Sequence, residues 1–569
     1  MRILWLYGLF LAGLGARLWA QDAVSPPPYP RYGGPEWLQT AVFYQIYPQS
    51  YRDSNGDGIG DLPGIISRLD YIASLGVDAI WLNPVYPSPF RDAGYDVADY
   101  RAIAPRYGTL ADMRRLIAEA QARDIRIVMD LVAGHTSIDH PWFQASAQAD
   151  DGPLSDRYIW TDHRDSLPKG FVTAEYPREG NYLKNFFDSQ PALNYGYGQP
   201  NPAHPWEQPV DAAGPQATRQ ALKDIMAYWM DLGVAGFRVD MAHSLVKSDP
   251  DQEETYRLWT DLRQWFKGQW PEGVLMAEWG RPEQAIRAGF DIDFMLHFGV
   301  KGYPSLFFNQ TGTFRRDTCF FERRGAGSVA AFWENYQEQK RRIGYQGYLS
   351  LPTANHDFQR PAAGPERQRA DLKVIMAFLL TWPGVPVIYY GDEIGLRFLD
   401  SLPDKEGSKL GPKPTAPNRA GTRTPMQWGT GPNAGFSTAA AEQLYLPIDP
   451  SPDRPTVAQA EADSASLLHF VRDLIALRKA HPALGNGGRI EALLAEADTY
   501  PFVYLREAGD EAFVIAINPA AEAKQVRLPL PPHLQLAPLR VQGATFTVEA
   551  HHQFLHMDGV SYGIFRVKR

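Results

Sequence analysis

The sequence predicts an α/β chain whose parallel strands close into a barrel, with a subdomain inserted after the third strand and a β-sandwich at the C-terminus. Three observations lead there. From about residue 40, short apolar runs alternate with amphipathic stretches, the pattern of βα units around a parallel sheet. Between His135 and about Gly214 the alternation gives way to Gly, Pro, Asn and aromatic residues, over a length too great for a structureless loop. After Gly485 the helical period is replaced by short alternating runs such as Phe513, Ile515 and Ile517, with a turn at Gly509 and Asp510.

The elements follow in order. Ala41 to Tyr47 reads as the first strand, and Ile65, Leu69, Ile72 and Leu75 recur at helical spacing before Gly76, which supplies a left-handed helix end. Asp78 to Asn83 is the second strand. Thr109 and Asp112 form a capping-box start for a helix through Met113, Leu116 and Ala120, and Ile125 to Val132 is a buried third strand. Leu222, Ile225, Met226 and Trp229 mark the next helix, followed by the strands Gly236 to Asp240, Val274 to Ala277 and Val385 to Tyr390. A last helix carries Leu467, Phe470, Val471, Leu474 and Leu477. The reading divides the chain into a barrel over 38–483, with 136–215 inserted, and a C-terminal domain over 484–569.

At the N-terminus, Arg2 precedes an apolar run from Ile3 to Leu14 and small residues from Ala16 to Ala20. Residues 1–20 read as a secretory signal peptide, with an uncleaved anchor as the alternative, and 21–37 as a Pro-rich tether. The folded part is expected outside the cytoplasm, periplasmic or extracellular, without stable membrane insertion after cleavage. Hydrophobic residues at 44% and charged residues at 21% are ordinary globular usage and exclude disorder. A formal charge of −9 without a basic run argues against nucleic acid as a partner. The single cysteine, Cys319, excludes a disulfide framework and reads as a buried apolar side chain.

In a parallel barrel the working groups sit where strands end at the carboxyl face. Here the third strand ends in Asp130 with His135 just after it, the fourth in Arg238-Val239-Asp240 and the fifth in Ala277-Glu278. A later segment reads Asn355-His356-Asp357. Arg238 and Asp240 are two apart on a strand and share a face, so a guanidinium beside that carboxylate favours its ionised form.

The motifs DLVAGHT at Asp130, QPALN at Gln190, GFRVD at Gly236, AE at Ala277, NHD at Asn355, GVPVIYYGDEIG at Gly384 and RTPMQW at Arg423 come in order. On them the chain resembles the α-amylase superfamily of glycoside hydrolases (glycoside hydrolase family 13), in particular its oligo-1,6-glucosidase and α-glucosidase branch. The resemblance runs from about Ala41 to the end. It implies a (β/α)8 TIM barrel and a retaining mechanism on an α-glucosidic bond, with Asp240 as nucleophile, Glu278 as general acid and base, and Asp357 as stabiliser of the oxocarbenium-like transition state. Trp279, next to Glu278, is a candidate apolar wall for that carboxyl.

The same resemblance carries substrate contacts onto Asp92, Tyr95, His135, Arg238, His356 and Arg423. It makes Arg423 the partner of Asp92, a pair that would close the pocket behind a terminal glucose and favour removal of single sugars from the chain ends of malto- or isomaltooligosaccharides. An endo-acting amylase is the first rival, and NAGFS at Asn433 with the helix near Leu477 resembles trehalose synthase, a glucosyltransferase or isomerase. A sugar-binding protein without catalysis would have no need of the three carboxylates.

From Asp53 to Asp61 oxygen-bearing side chains alternate, with Gly58 for a sharp turn, as in the calcium loop of an EF-hand, but Gly64 stands where that loop has its bidentate glutamate. The run resembles a loop of oligo-1,6-glucosidases, which implies a structural calcium, or magnesium, held by Asp53, Asn55, Asp57, the carbonyl of Ile59 and Asp61. Gly134 and Ala192 stand where amylases have the Asn and Asp of another calcium site, and neither carries a side-chain oxygen. Met241, after the proposed nucleophile, occupies a position that distinguishes linkages in this branch, and leaves α-1,4 against α-1,6 preference open.

Overall fold

Eight short parallel strands, each buried along nearly its whole length, form the centre of the molecule. The computed structural model of the chain describes residues 33–568 apart from 150, 174, 297, 308–318, 364–366, 414–415, 498 and 550. The signal peptide read at 1–20 and most of the tether read at 21–37 lie outside the described residues.

In chain order the strands are β1 (Phe43–Ile46), β2 (Ala79–Leu82), β3 (Arg126–Leu131), β4 (Phe171–Val172), β5 (Tyr182–Leu183), β6 (Gly236–Val239), β7 (Val274–Ala277), β8 (Ile292–Phe294), β9 (Tyr348–Ser350) and β10 (Val387–Tyr389). The barrel sheet runs β10-β1-β2-β3-β6-β7-β8-β9, all parallel, and β9 returns to β10 through a parallel bridge from Pro352 to Val387. The strands read from apolar runs appear within two residues of their expected ends. Strands β8 and β9 have three residues each and no apolar run long enough to reveal them.

Helices cover the barrel as the periodicity predicts. Thr109 and Asp112 exchange the two hydrogen bonds of a capping box at the start of the helix Leu110–Gln121, whose Met113, Leu116, Ile117 and Ala120 are buried. The helix expected from Ile65 to Leu75 is instead two helices, Leu62–Ile66 and Leu69–Ser74. The Ser67 hydroxyl donates to the Gly64 carbonyl at 2.6 Å at this break, offering the backbone a local alternative to helix, and Arg68 turns over the Trp428 ring.

The segment after β3 holds a short helix, Pro141–Ser146, and the two-residue ladder of β4 with β5. It returns to the barrel mouth through the bridge His135–Ala192 and the Leu193 amide on the Gly134 carbonyl (3.0 Å). A long segment after β10 wraps the same mouth. It clasps the acidic loop through Met426 N to Ser50 O (2.7 Å), Asp53 N to Phe436 O (3.0 Å) and Tyr445 N to Gly58 O (2.9 Å).

Beyond the helix Leu467–Ala480 come β11 (Arg489–Leu494), β12 (Phe502–Ala508), β13 (Glu511–Asn518), β14 (Lys524–Leu528), β15 (Gln535–Glu549) and β16 (His552–Lys568), all antiparallel. The long β16 pairs with β13 along one half and β14 along the other, while β15 follows it throughout, so the sheet folds over a core of its own that includes Val503, Val514, Leu555 and Phe565. Its other face joins the barrel core: the Phe502 ring packs tilted, and the Tyr504 ring edge-on, against Trp382.

Candidate active site

The strand ends deliver their polar side chains to one mouth. Arg238, on β6, is buried and faces three carboxylates at once: Asp130 Oδ1 at 2.6 Å, Asp240 Oδ1 at 3.1 Å and Glu278 Oε1 at 2.8 Å. A planar guanidinium with several donors can serve three acceptors in this way, which an ammonium cannot match in geometry. Asp130 is further fixed by Trp81 Nε1 (2.9 Å), Asn83 Nδ2 (3.1 Å) and the Tyr95 hydroxyl (3.1 Å).

Asp240 and Glu278 stand close enough for a side-chain hydrogen bond. Burial first, and then the Glu278 carboxyl, push Asp240 well above the usual carboxylate range, against the pull of Arg238. Arg238 favours the ionised form, as expected, but its guanidinium is shared among three acids, and burial with Glu278 opposite outweighs it. Glu278 also accepts the Met241 amide at 3.0 Å, and Met241 adopts left-handed backbone angles (φ 42°, ψ 43°), uncommon for a residue with a side chain. Trp279 is not a wall of the pocket: its ring packs against Tyr256 and Phe290, and its indole N–H donates to Gln284 Oε1 (3.0 Å).

Asp357, 21% exposed at its side chain, receives Arg419 Nη1 (2.9 Å), Arg423 Nη2 (3.2 Å) and His356 Nε2 (3.5 Å). Burial raises it, but the facing arginines outweigh burial and hold its carboxyl far below the usual range. His356 is kept neutral by burial. Its Nδ1 faces the side-chain amides of Gln45 (3.0 Å) and Asn83 (3.3 Å), so the hydrogen-bond network assigns the ring proton to Nε2, 2.7 Å from the Tyr95 oxygen. Burial likewise pulls His135 down to about 4; its Nε2 lies 3.2 Å from the Tyr95 carbonyl and its Nδ1 3.1 Å from Asn185 Nδ2.

The Asp92 partner is Arg419, not Arg423. Arg419 Nη2 lies 2.9 Å from Asp92 Oδ1, and Gln190 Nε2, from the QPALN motif, holds Asp92 Oδ2 at 2.9 Å. Both arginines belong to one 3-10 turn, Arg419–Thr422 with Arg423 as its C-cap. Arg419 reaches forward to bridge Asp92 and Asp357, while Arg423 lies behind, with Nε on the His356 carbonyl (2.7 Å). Arg423 therefore supports the pocket without lining it.

These groups enclose a cavity of about 280 Å3, just below the roughly 300–1,000 Å3 of ligand pockets. Asp92, Tyr95, His135, Asp240, Glu278, His356, Asp357 and Arg419 line it, and Phe186, Met241, His243, Phe298 and Leu410 complete its walls. Phe186 is 42% exposed. A larger cavity of about 930 Å3 lies against the helix Arg369–Thr381 and shares none of these residues.

In the acidic loop the carboxylates are turned onto backbone N–H groups. Asp53 Oδ1 accepts the Asn55 and Gly56 amides (3.0 and 2.7 Å), Asp57 Oδ1 the Ile59 amide (2.8 Å), and Asp61 Oδ1 the Gly64 amide (2.6 Å) as a helix N-cap. The hard-oxygen donors suit calcium in type. Among the described residues no three acidic, histidine or cysteine side chains converge as a metal centre. Where Gly134 and Ala192 lack side-chain oxygens, the barrel and insertion are joined by Lys247, whose ammonium reaches Asn185 Oδ1 (3.1 Å) and the Ser244 carbonyl (2.5 Å). A Cβ at Gly134 would stand 2.9 Å from Asn185 Nδ2, so glycine leaves Asn185 its place.

The profile described as the α-amylase catalytic domain matches residues 45–487. The chain belongs to the α-amylase family of glycoside hydrolases. It is 32% identical over 530 residues to a glucan 1,6-alpha-glucosidase of Streptococcus pneumoniae serotype 4, covering 86% of this chain and 93% of that one. It is also 32% identical over 571 residues to a trehalose synthase/amylase of Mycobacterium tuberculosis, covering 93% and 88%. Among solved structures, a trehalulose synthase from Pseudomonas mesoacidophila MX-45 superposes with a TM-score of 0.78 at 26% identity, over 94% of this chain and all of that one.

Arg419, Gln190, Asn185 and Lys247 are the functional neighbours that sequence reasoning did not single out. For Gln190 the motif itself was visible. For Arg419 the only signal was an arginine four residues before the one chosen.

Proposed function

We propose that this enzyme is an exo-acting, retaining α-glucosidase of malto- or isomaltooligosaccharides. The observation that carries the reading is the Asp92–Arg419 pair, which closes one end of a cavity sized for a single hexose around Asp240, Glu278 and Asp357. Asp240 attacks the anomeric carbon while Glu278 gives its proton to the glycosidic oxygen, so the C–O bond breaks, the aglycone leaves as an alcohol and a glycosyl ester remains on Asp240. Water, deprotonated by Glu278, then attacks the same carbon and restores both carboxyls. Retaining carboxyls act at a separation of about 5 to 5.5 Å. Entry of the sugar therefore exchanges the hydrogen bond between Asp240 and Glu278 for contacts to the anomeric centre and glycosidic oxygen. Asp357, kept anionic by two arginines, faces the sugar as positive charge develops.

A second reading, transfer of the glucosyl group to another sugar, is supported by Phe186, Phe298, Leu410 and Met241 in the cavity walls, which favour an acceptor sugar over water, and by the likeness to a trehalose synthase/amylase. A time course of products from maltoheptaose, with Asp240→Asn as blank, separates the readings. Glucose alone at the earliest points is the expected result. Early maltose and maltotriose indicate an endo-acting amylase, and longer chains a transferase.

The reading extends to a structural calcium, or magnesium, on Asp53, Asn55, Asp57, the carbonyl of Ile59 and Asp61, which would exchange some of the loop's internal hydrogen bonds for the ion. It extends also to export, which N-terminal sequencing of the mature protein tests.

A further inference from the structure

Two aspartates, Asp293 on β8 and Asp291 just before it, turn inward toward the segment of β7. Asp291 accepts the Leu275 amide (2.9 Å) and is neutralised by Arg263 (2.9 Å) and Lys267 (3.0 Å), an ordinary buried tie at the lower end of the barrel. Asp293, two residues on and fully buried, has no cation within salt-bridge distance among the described residues. Its Oδ1 accepts the amides of Trp279 (3.0 Å) and Gly280 (3.4 Å), and the Arg281 amide also faces the carboxyl. Its Oδ2 has no hydrogen-bond partner among the described residues. Successive N–H groups gathered on one acceptor form a nest, and Gly280 with φ +70° supplies the left-handed residue such a turn requires.

A buried carboxyl without a cation and with an idle oxygen costs stability, so an apolar residue would serve β8 better if packing were its whole task. What Asp293 gains for the protein is a fixed backbone directly after Glu278. The Glu278 carboxyl is held from the other side by Arg238 and the Met241 amide. We infer that Asp293 is a positioning residue for Glu278: it anchors the Trp279–Gly280 turn and so aims the acid at the glycosidic oxygen. This rests on the reading of Glu278 as the general acid. Burial pushes Asp293 up to about 8, so a neutral acceptor suits the nest.

The test compares a disaccharide substrate, maltose or isomaltose, with 4-nitrophenyl α-glucoside, whose leaving group needs little protonation. Misplacing the acid slows the first far more than the second. Asp293→Ala is expected to lose about 10²-fold in kcat/KM on the disaccharide and less than about fivefold on the aryl glucoside. Asp293→Asn, which keeps the acceptor oxygen, is expected to retain both rates. Glu278→Gln serves as the control and is expected to show the same leaving-group dependence more strongly; without it, the role of Glu278 fails and this inference with it. Given that control, equal losses on both substrates, or none, in folded Asp293→Ala overturn the positioning role. Should Asp293→Ala not fold, Asp293→Thr reads the same ratio by the same criteria.

Discussion

Arg419→Ala separates the two arginines of the RAGTR turn. Arg419 makes two charged contacts of 2.9 Å, to Asp92 and Asp357, and it also donates to the Gly407 carbonyl at 2.8 Å. Its removal leaves Asp92 with Gln190 as its remaining side-chain donor, and Asp357 with Arg423 and His356. Breaking a buried pair costs about 3–5 kcal/mol when the surviving charge stays dry. Asp92 and Asp357 both line the cavity, so the lower end applies to folding stability, and an equal loss of about 3 kcal/mol in transition-state binding corresponds to roughly 10²-fold in kcat/KM. Arg423→Ala leaves the Asp92 contact intact and removes the contacts to Asp357 and the His356 carbonyl, with an expected loss of about tenfold and a larger fall in melting temperature. Double-mutant cycles with Asp92→Asn on 4-nitrophenyl α-glucoside decide the matter. The coupling to Arg419 should be about 2 kcal/mol, and that to Arg423 within the roughly 0.5 kcal/mol scatter of independent sites. A cycle in which Arg423 carries the coupling and Arg419 does not would refute the assignment of the pocket-closing pair.

Asp240→Asn and Glu278→Gln should each lose about 10³-fold or more in turnover of disaccharides with an unchanged circular dichroism spectrum; either retaining near-native rates sinks its role. Calorimetry with chelator and with added calcium should show a lower and a higher melting temperature respectively, and identical curves would remove the cation from the acidic loop. Acid should destabilise the fold through two buried histidines, His135 pulled down to about 4 and His140 to about 3. Their folded values lie below the unfolded value of about 6.5, so from there down to about pH 4 the unfolded chain takes up protons that the folded chain refuses, and stability falls with pH by about 3 kcal/mol for His135. His140 Nδ1 accepts the Trp142 amide as a helix cap and must be unprotonated to do so. His140→Asn keeps a capping acceptor and should flatten part of the slope in pH-dependent melting; an unchanged slope removes that attribution.

The barrel was legible where strands are continuous apolar runs: Phe43–Ile46, Ala79–Leu82 and Val274–Ala277 are buried throughout, and burial is what hydrophobic pattern records. It was illegible at Ile292–Phe294 and Tyr348–Ser350, where three residues cannot establish a period and Asp293 and Ser350 interrupt the pattern. The carboxylates at strand ends were legible because a strand fixes which face its last residues share. The Asp92–Arg419 contact was not, since it joins loops 327 residues apart and depends on a single 3-10 turn placing one arginine ahead of the other. The direction of the Asp240 shift was hidden for the same reason: Arg238 is two residues away in sequence, while Glu278, just past the end of the next strand, is brought beside it only in three dimensions.

The charges in mutual contact at the mouth explain why so costly an arrangement suits this chemistry. Asp92, Asp130, Asp240, Glu278 and Asp357 face Arg238, Arg419 and Arg423, five carboxyls against three guanidiniums, with His135 and His356 neutral through burial. Full ionisation would leave two uncompensated negative charges, and burial with the Glu278 carboxyl opposite raises the proton affinity of Asp240 in response. The excess of carboxyls over guanidiniums complements a sugar ring that becomes positive as its glycosidic bond breaks. On the proposed mechanism Asp357 is the group best placed to keep negative charge through the reaction, because its two arginines hold it ionised while the proton moves between Glu278 and the leaving oxygen.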